Sequence, residues 1–159
     1  MNRENVGQDT VIAYQAICRG LDAMNWKYVG DDENLEIEYY VSCRSGLDYH
    51  FRIYVSDSNK LIAVFVDFPF TIPEKMRQAV CEYFSHVNFS LAVGCFELNF
   101  LNGEACFSLC TSYSESLIGD KLVKKLNDIA SITADGHAPS VKRFLDGEIS
   151  YDDLFEEEF

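Results

Sequence analysis

Three of the chain's six cysteines fall in one stretch, GCFELNFLNGEACFSLC, from Gly94 to Cys110. Thiols can hold a metal, pair as a disulfide or act as nucleophiles, and spacing decides among these. On a strand, Cys106 and Cys110 stand roughly 13 Å apart. A tetrahedral zinc site needs sulfurs about 2.3 Å from one ion, usually supplied by CxxC knuckles. No CxxC occurs in the chain, so no metal is expected. If Asn102-Gly103 forms a two-residue type I′ turn, Cys95 faces Cys110 with Cα atoms about 4.5–5.5 Å apart. That distance allows a disulfide, and the redox compartment then decides.

Histidines and carboxylates complete the candidates for chemistry. His50 falls in a strand pattern, His86 late in a helix and His137 in a Gly-Pro segment expected to be a loop. Cys43 could reach His50 across a short hairpin, but nothing in the sequence lowers its thiol pKa. Glu36 and Glu38 alternate with apolar residues, which is the pattern of a solvated strand face. GxSxG, HExxH, Walker A and GxGxxG are all absent. No catalytic, cofactor-binding or metal-ligating residue is assigned, and no cofactor is expected.

Composition bounds the partners. The chain has 159 residues, 48% of them hydrophobic, enough for one domain with a real core. Its first ten residues are polar and no apolar leader segment follows. The most apolar run, LIAVFVDFPF, is interrupted by Asp67 and Pro69. The expectation is a cytoplasmic protein without a membrane span, in which thiols stay reduced. Acidic side chains number 26 against 13 basic, a net charge of −13. Such a chain repels nucleic acid unless a basic patch is segregated. The densest basic cluster is only Lys121, Lys124 and Lys125, so no nucleic-acid partner is expected.

The elements follow from periodicity. Tyr14, Ile17, Leu21 and Met24 recur at helical spacing from about Asp9, and Asn25 ends that helix. WKYVG reads as a short strand or connection. Strict alternation marks strands at LEIEYYVSC and YHFRIYV, with Leu35, Ile37, Tyr39, Val41, Tyr49, Phe51, Ile53 and Val55 on the core side. LIAVFVDF is a central strand with Ile62, Val64, Val66 and Phe68 inward. Thr71 and Glu74 have capping-box spacing, with Pro73 in the first turn. The helix they open carries Met76, Val80, Tyr83 and Val87 inward.

After the hairpin, a helix from about Ser116 places Ile118, Leu122, Leu126 and Ile129 inward, and Gly136 and Pro139 should interrupt it. SVKRFLDG adds a short helix ended by Gly147. Residues 147–159 read as an acidic, frayed tail with Leu154, Phe155 and Phe159 as its apolar positions, outside a single domain over 8–146. The expected fold is α+β: a two-layer αβββαββα domain with a mainly antiparallel five-stranded sheet and helices on one face.

The helix TIPEKMRQAVCEYFSHVN and the hairpin GCFELNFLNGEACFSLCTSY, in this element order, resemble the YbjN family. Pro73-Glu74 opening a helix that ends near Val87-Asn88, and Gly94-x-Phe96-Glu97 leading into Asn102-Gly103-Glu104, carry the resemblance. It spans roughly residues 10–145. Members of that family are described as candidate sensory-transduction regulators of bacteria, with a fold like type III secretion chaperones. The resemblance implies that fold and, by analogy, a non-enzymatic protein-binding, chaperone-like or regulatory role, with a homodimer as in the similar chaperones. The alternative is a small-ligand sensor or an unrecognised enzyme, which would need a closed cavity with converging polar groups.

The outward strand positions supply a candidate partner surface. If the first three long strands pair in order, Tyr40, Arg52, Tyr54 and Phe65 come together, with Ala63 beside them. An exposed patch of this kind marks a partner site, and Tyr and Arg are favoured anchors. SVKRFL folding over the same face is the competing arrangement.

Overall fold

A computed structural model describes residues 6–116 and 118–156. The elements are α1 (Gln8–Ala23), β1 (Val29–Asp31), β2 (Glu36–Ser42), β3 (Asp48–Ser56) and β4 (Leu61–Asp67), then a 3-10 turn (Glu74–Met76) leading into α2 (Arg77–Ser90). β5 (Cys95–Leu98), β6 (Ala105–Ser112), α3 (Asp120–Leu145) and α4 (Tyr151–Glu156) complete the chain. The expected strands and main helices are present. The sheet has six strands rather than five, because WKYVG contributes β1.

All pairings are antiparallel, and the strand order is β1-β2-β3-β4-β6-β5. The hydrogen-bonded neighbours β4 and β6 are not consecutive. Helix α2 carries the chain past the place of β6, and the β5–β6 hairpin then inserts β6 next to β4.

Alternation in the strands sorts residues as the sequence reading expects. Ile37, Tyr39, Tyr49, Phe51, Ile53, Val55, Ile62, Val64 and Val66 are all buried. They join the helix residues Ile17, Leu21, Val80, Tyr83, Phe84, Val123, Ala130 and Ala134 in one core. Phe68, Phe84, Phe96 and Phe107 form its aromatic end, with successive ring centroids 5.1–6.0 Å apart. Burying each such ring contributes on the order of 1.5–3 kcal/mol.

Helix α1 ends where Asn25 predicts. Asn25 takes a φ of 56°, its N–H bonds the Asp22 carbonyl, and the Trp26 N–H bonds the Leu21 carbonyl, a Schellman closure. α1 packs against α3 at Gly20, where a Cβ would lie 2.7 Å from the Val123 Cβ. No side-chain cap forms at Thr71–Glu74; the helix opens through the 3-10 turn instead.

The Gly136–Pro139 break does not occur. α3 runs unbroken for 26 residues. Proline removes one backbone donor and crowds the preceding turn, but Ala130, Ala134, Ala138 and Val141 at zero exposure let this helix lie directly on the sheet. Packing outweighs the local cost. The SVKRFL segment is therefore the last part of α3, with Val141 in the core, and it does not cross to the other sheet face.

Residues 151–156 are likewise helical rather than frayed. Leu154 is fully buried, the Phe155 ring meets Tyr83 at 5.7 Å, and the Tyr151 hydroxyl donates to Glu82 at 2.6 Å. Phe159 lies outside the described residues.

Candidate functional site

The sheet face opposite the helices is open. None of its strand residues is fully buried. Register places His50 between Tyr40 and Asp67, Arg52 between Glu38 and Phe65, and Tyr54 between Glu36 and Ala63. The four residues singled out as a partner surface thus share one face over three neighbouring strands.

Arg52 organises the middle of that face. Its Nε donates to Asp67 Oδ2 at 2.6 Å, Nη2 to Asp67 Oδ1 at 2.7 Å, and Nη1 to the Tyr54 hydroxyl at 3.0 Å. The guanidinium lies 5.8 Å from the Tyr54 ring centre and 5.2 Å from that of Phe65. Tyr54 and Phe65 meet edge-on at 5.7 Å, so both are half-buried by their neighbours. Bonding to Asp67 raises the Arg52 pKa further, and the group stays charged.

Tyr40 stands apart from this cluster. It stacks on His50 at 4.7 Å yet remains 73% exposed. His50 has carboxylates on both sides: Nδ1 is 3.3 Å from Asp67, and Nε2 is 3.5 Å from Glu38 without a hydrogen bond.

At one end the face drops into an open cleft of about 670 Å³. Arg52 and Asp67 form one side. The other comprises Glu97, Glu104 and Cys106 of the hairpin, with Phe68, Phe70, Leu98 and Ala105 supplying apolar lining. The cleft exists because β4 leaves the sheet through Pro69 while the hairpin continues beyond it.

That hairpin differs from the two-residue turn expected from Asn102-Gly103. The Asn99 N–H bonds the Glu104 carbonyl and the Gly103 N–H bonds the Asn99 carbonyl, both at 2.8 Å. The loop therefore holds residues 100–103. Glu97 pairs with Cys106 and Cys95 with Ser108. The shift is two residues, so each side chain keeps its expected face, while Cys95 and Cys110 are no longer opposed. All six cysteines are unbonded. Gly103 does take positive φ, 80°, and its backbone reaches across to the start of α2: the Ile72 N–H bonds the Gly103 carbonyl at 2.7 Å. Arg77 completes that clamp, donating to the Ile72 and Phe100 carbonyls at 3.1 and 2.7 Å.

The remaining candidates for chemistry do not assemble. Cys43 pairs with Leu47 and lies on the opposite strand face from His50; burial pushes its thiol up to about 11. Cys106 is pushed up to about 12 by burial and then by Glu97 and Asp67. Both are poor nucleophiles at neutral pH. His137 is in α3, not in a loop, and its Nδ1 lies 2.8 Å from the Tyr83 hydroxyl. His86 is exposed against Phe155. Among the described residues no group of His, Cys, Asp and Glu could hold a metal, and no helix is long and apolar enough to cross a membrane.

Two polar side chains that sequence patterns did not single out shape the domain. Asn127 is 1% exposed inside the helix stripe; it accepts from the Tyr39 hydroxyl and donates to the Val123 carbonyl at 2.8 Å. Asn88 bonds both backbone groups of Phe96 on edge strand β5, accepting from its N–H at 2.7 Å and donating to its carbonyl at 3.1 Å. Only the place of Asn88 at the helix end hinted at a capping role.

No family model and no curated protein matches this chain. Among solved structures, that of YbjN from E. coli, described as a candidate transcription regulator, aligns with a TM-score of 0.57. Identity is 10% over 80% of this chain and 94% of that one. The six antiparallel strands with helices packed on one face are thus a YbjN-like fold.

Proposed function

We propose that the protein is a non-enzymatic binding module of the bacterial cytoplasm, chaperone-like or regulatory, whose open sheet face docks a protein partner. The observation that carries this reading is Tyr40: a large aromatic ring, 73% exposed, on the same sheet face as the ordered cluster of Arg52, Tyr54 and Phe65. An anchor on a rigid platform loses little conformational entropy on binding, and Tyr and Arg recur at the energetic centres of interfaces. The regulator description of YbjN agrees with such a role.

A sensor or enzyme reading calls for an enclosed cavity lined by converging polar groups. The cleft beside Arg52 is open to solvent, which favours the docking reading. The carboxylates Glu36, Glu38, Asp67 and Glu97 on the same face disfavour a nucleic-acid partner.

A second copy is one partner such a face could take, since a two-fold axis reuses the same patch. Copies of a chain with net charge −13 repel, and salt screens that repulsion. Light scattering across salt concentrations tests this form: self-association should strengthen as salt rises, and Phe65→Asp or Tyr54→Asp should reverse it. Affinity capture tests the wider reading. A polypeptide held by the wild type from native lysate should be lost with Tyr40→Asp; equal capture by that variant would contradict docking through this face.

A further inference from the structure

Charge in the cleft beside Arg52 is unbalanced. The guanidinium of Arg52 is already matched by Asp67, with three of its donors placed on Asp67 and Tyr54. Across the cleft stand Glu97 and Glu104. The Glu97 carboxylate accepts from the Ser108 hydroxyl; neither glutamate has a cationic partner among the described residues. The cleft is therefore net anionic, over an apolar lining of Phe68, Phe70 and Leu98. Within the cleft, Glu97 and Asp67 add to burial in pushing the Cys106 thiol up, against the opposing charge of Arg52.

The backbone beside the cleft is less available. β5 is the sheet edge, and an extended peptide could in principle add to it. Asn88 occupies both polar groups of Phe96 there. That takes Phe96 out of strand addition and shifts the weight of recognition at this end of the face to side chains entering the cleft.

We propose that the cleft receives a basic, apolar segment of the partner polypeptide, with an arginine or lysine between Glu97 and Glu104 and an adjacent apolar side chain on Phe70 and Leu98. The volume, about 670 Å³, is within the usual range for a pocket that takes a few side chains. The stem of a long cationic residue covers apolar surface while its head meets carboxylate. Opposite charge also accelerates encounter with a chain of net charge −13. This inference rests on the docking reading and assigns the chemistry of what docks.

The test is an amide-shift titration of the full, isotope-labelled chain with a capped heptapeptide, Gly-Leu-Arg-Phe-Arg-Leu-Gly. A matched peptide carrying glutamate for both arginines is the control. The arginine peptide should give saturable shifts at Glu97, Asn99, Glu104 and Cys106. Its affinity should fall at least tenfold in the Glu97→Gln/Glu104→Gln double variant and fall with added salt, while the rest of the spectrum stays native. No saturable shift at these amides, or equal affinity for the glutamate peptide, would overturn the proposal. Failure of the docking reading is distinguishable: a silent cleft with partner capture still abolished by Tyr40→Asp would sink only the cleft assignment.

Discussion

The Arg52 guanidinium grips both oxygens of the Asp67 carboxylate, at 2.6 and 2.7 Å, across the outer face of strands β3 and β4. Two parallel charge-assisted bonds fix a planar group more firmly than a point charge could. The same guanidinium then orients Tyr54 and Phe65. Both partners remain partly exposed, about 30% and 28%, so solvent tempers the energy. Asp67→Asn should lower stability by about 1–2 kcal/mol, because one charge-assisted fork is lost and Arg52 is left unmatched. Arg52→Lys should cost nearly as much, since an ammonium cannot reproduce the fork. Urea unfolding checks both; unchanged midpoints would mean that the pair does not order the face.

Gly103 is held from two directions. Its φ is 80°, and a Cβ there would lie 2.2 Å from the Ile72 carbonyl oxygen. Gly103→Val should destabilise by about 1–3 kcal/mol or more, through backbone strain and loss of the hairpin-to-helix clamp. Gly46, at φ 83° with nothing within 4 Å of its Cβ position, is the control for strain without the clash. Equal effects at the two sites would remove the clamp from the explanation.

Stability should fall with acid in two stages. Burial lowers the His137 pKa from 6.5 to about 4. The unfolded chain therefore binds this proton first, and stability is lost as pH falls from 6.5 toward 4. Hydrogen bonds from Thr10, then Lys60, then the Gly7 N–H hold Asp57 down at about 2, from 3.8. Its contribution is complete above 3.8 and lost as pH falls toward 2. His137→Gln should flatten the upper stage and Asp57→Asn the lower, read as denaturant midpoint against pH. A wild-type midpoint equal at pH 7 and pH 4.5 would contradict the first assignment.

Asn88 guards the β5 edge. Asn88→Ala leaves the Phe96 N–H and carbonyl without partners and should cost about 1–3 kcal/mol. It also bares a strand edge, which invites pairing between molecules. The variant should form concentration-dependent oligomers in sedimentation. A variant that stays as monodisperse as the wild type would show that the edge is protected by something else.

Much of this arrangement is legible in the sequence, and the exceptions have physical causes. Period-two alternation from Leu35 to Phe68 placed every core residue of β2, β3 and β4 correctly, because one face of each strand is buried and register is then strongly specified. It also brought Tyr40, Arg52, Tyr54 and Phe65 to one face. The grip of Arg52 on Asp67 is diagonal between strands, so alternation alone could not reveal it. The Asn102-Gly103 signal named the turn region and the φ of Gly103. It missed the loop length, which is decided by the Ile72 and Arg77 contacts that hold the loop from outside. Gly136 and Pro139 misled for the converse reason: their local cost is small beside the burial of Ala130, Ala134, Ala138 and Val141. The cleft arises from two distant departures, at Pro69 and at the hairpin, and no local pattern records such a meeting.

The docking claim is tested most directly by placing a photo-crosslinking residue on each side of the domain. p-Benzoylphenylalanine would replace Tyr40 on the open sheet face or Phe89 on α2. Phe89 is 94% exposed and serves as an equally accessible site away from the face. Irradiation in native lysate should yield a discrete adduct from position 40 and none of that mass from position 89. The same adduct from both positions, or an adduct from position 89 alone, would contradict a partner surface on the open sheet.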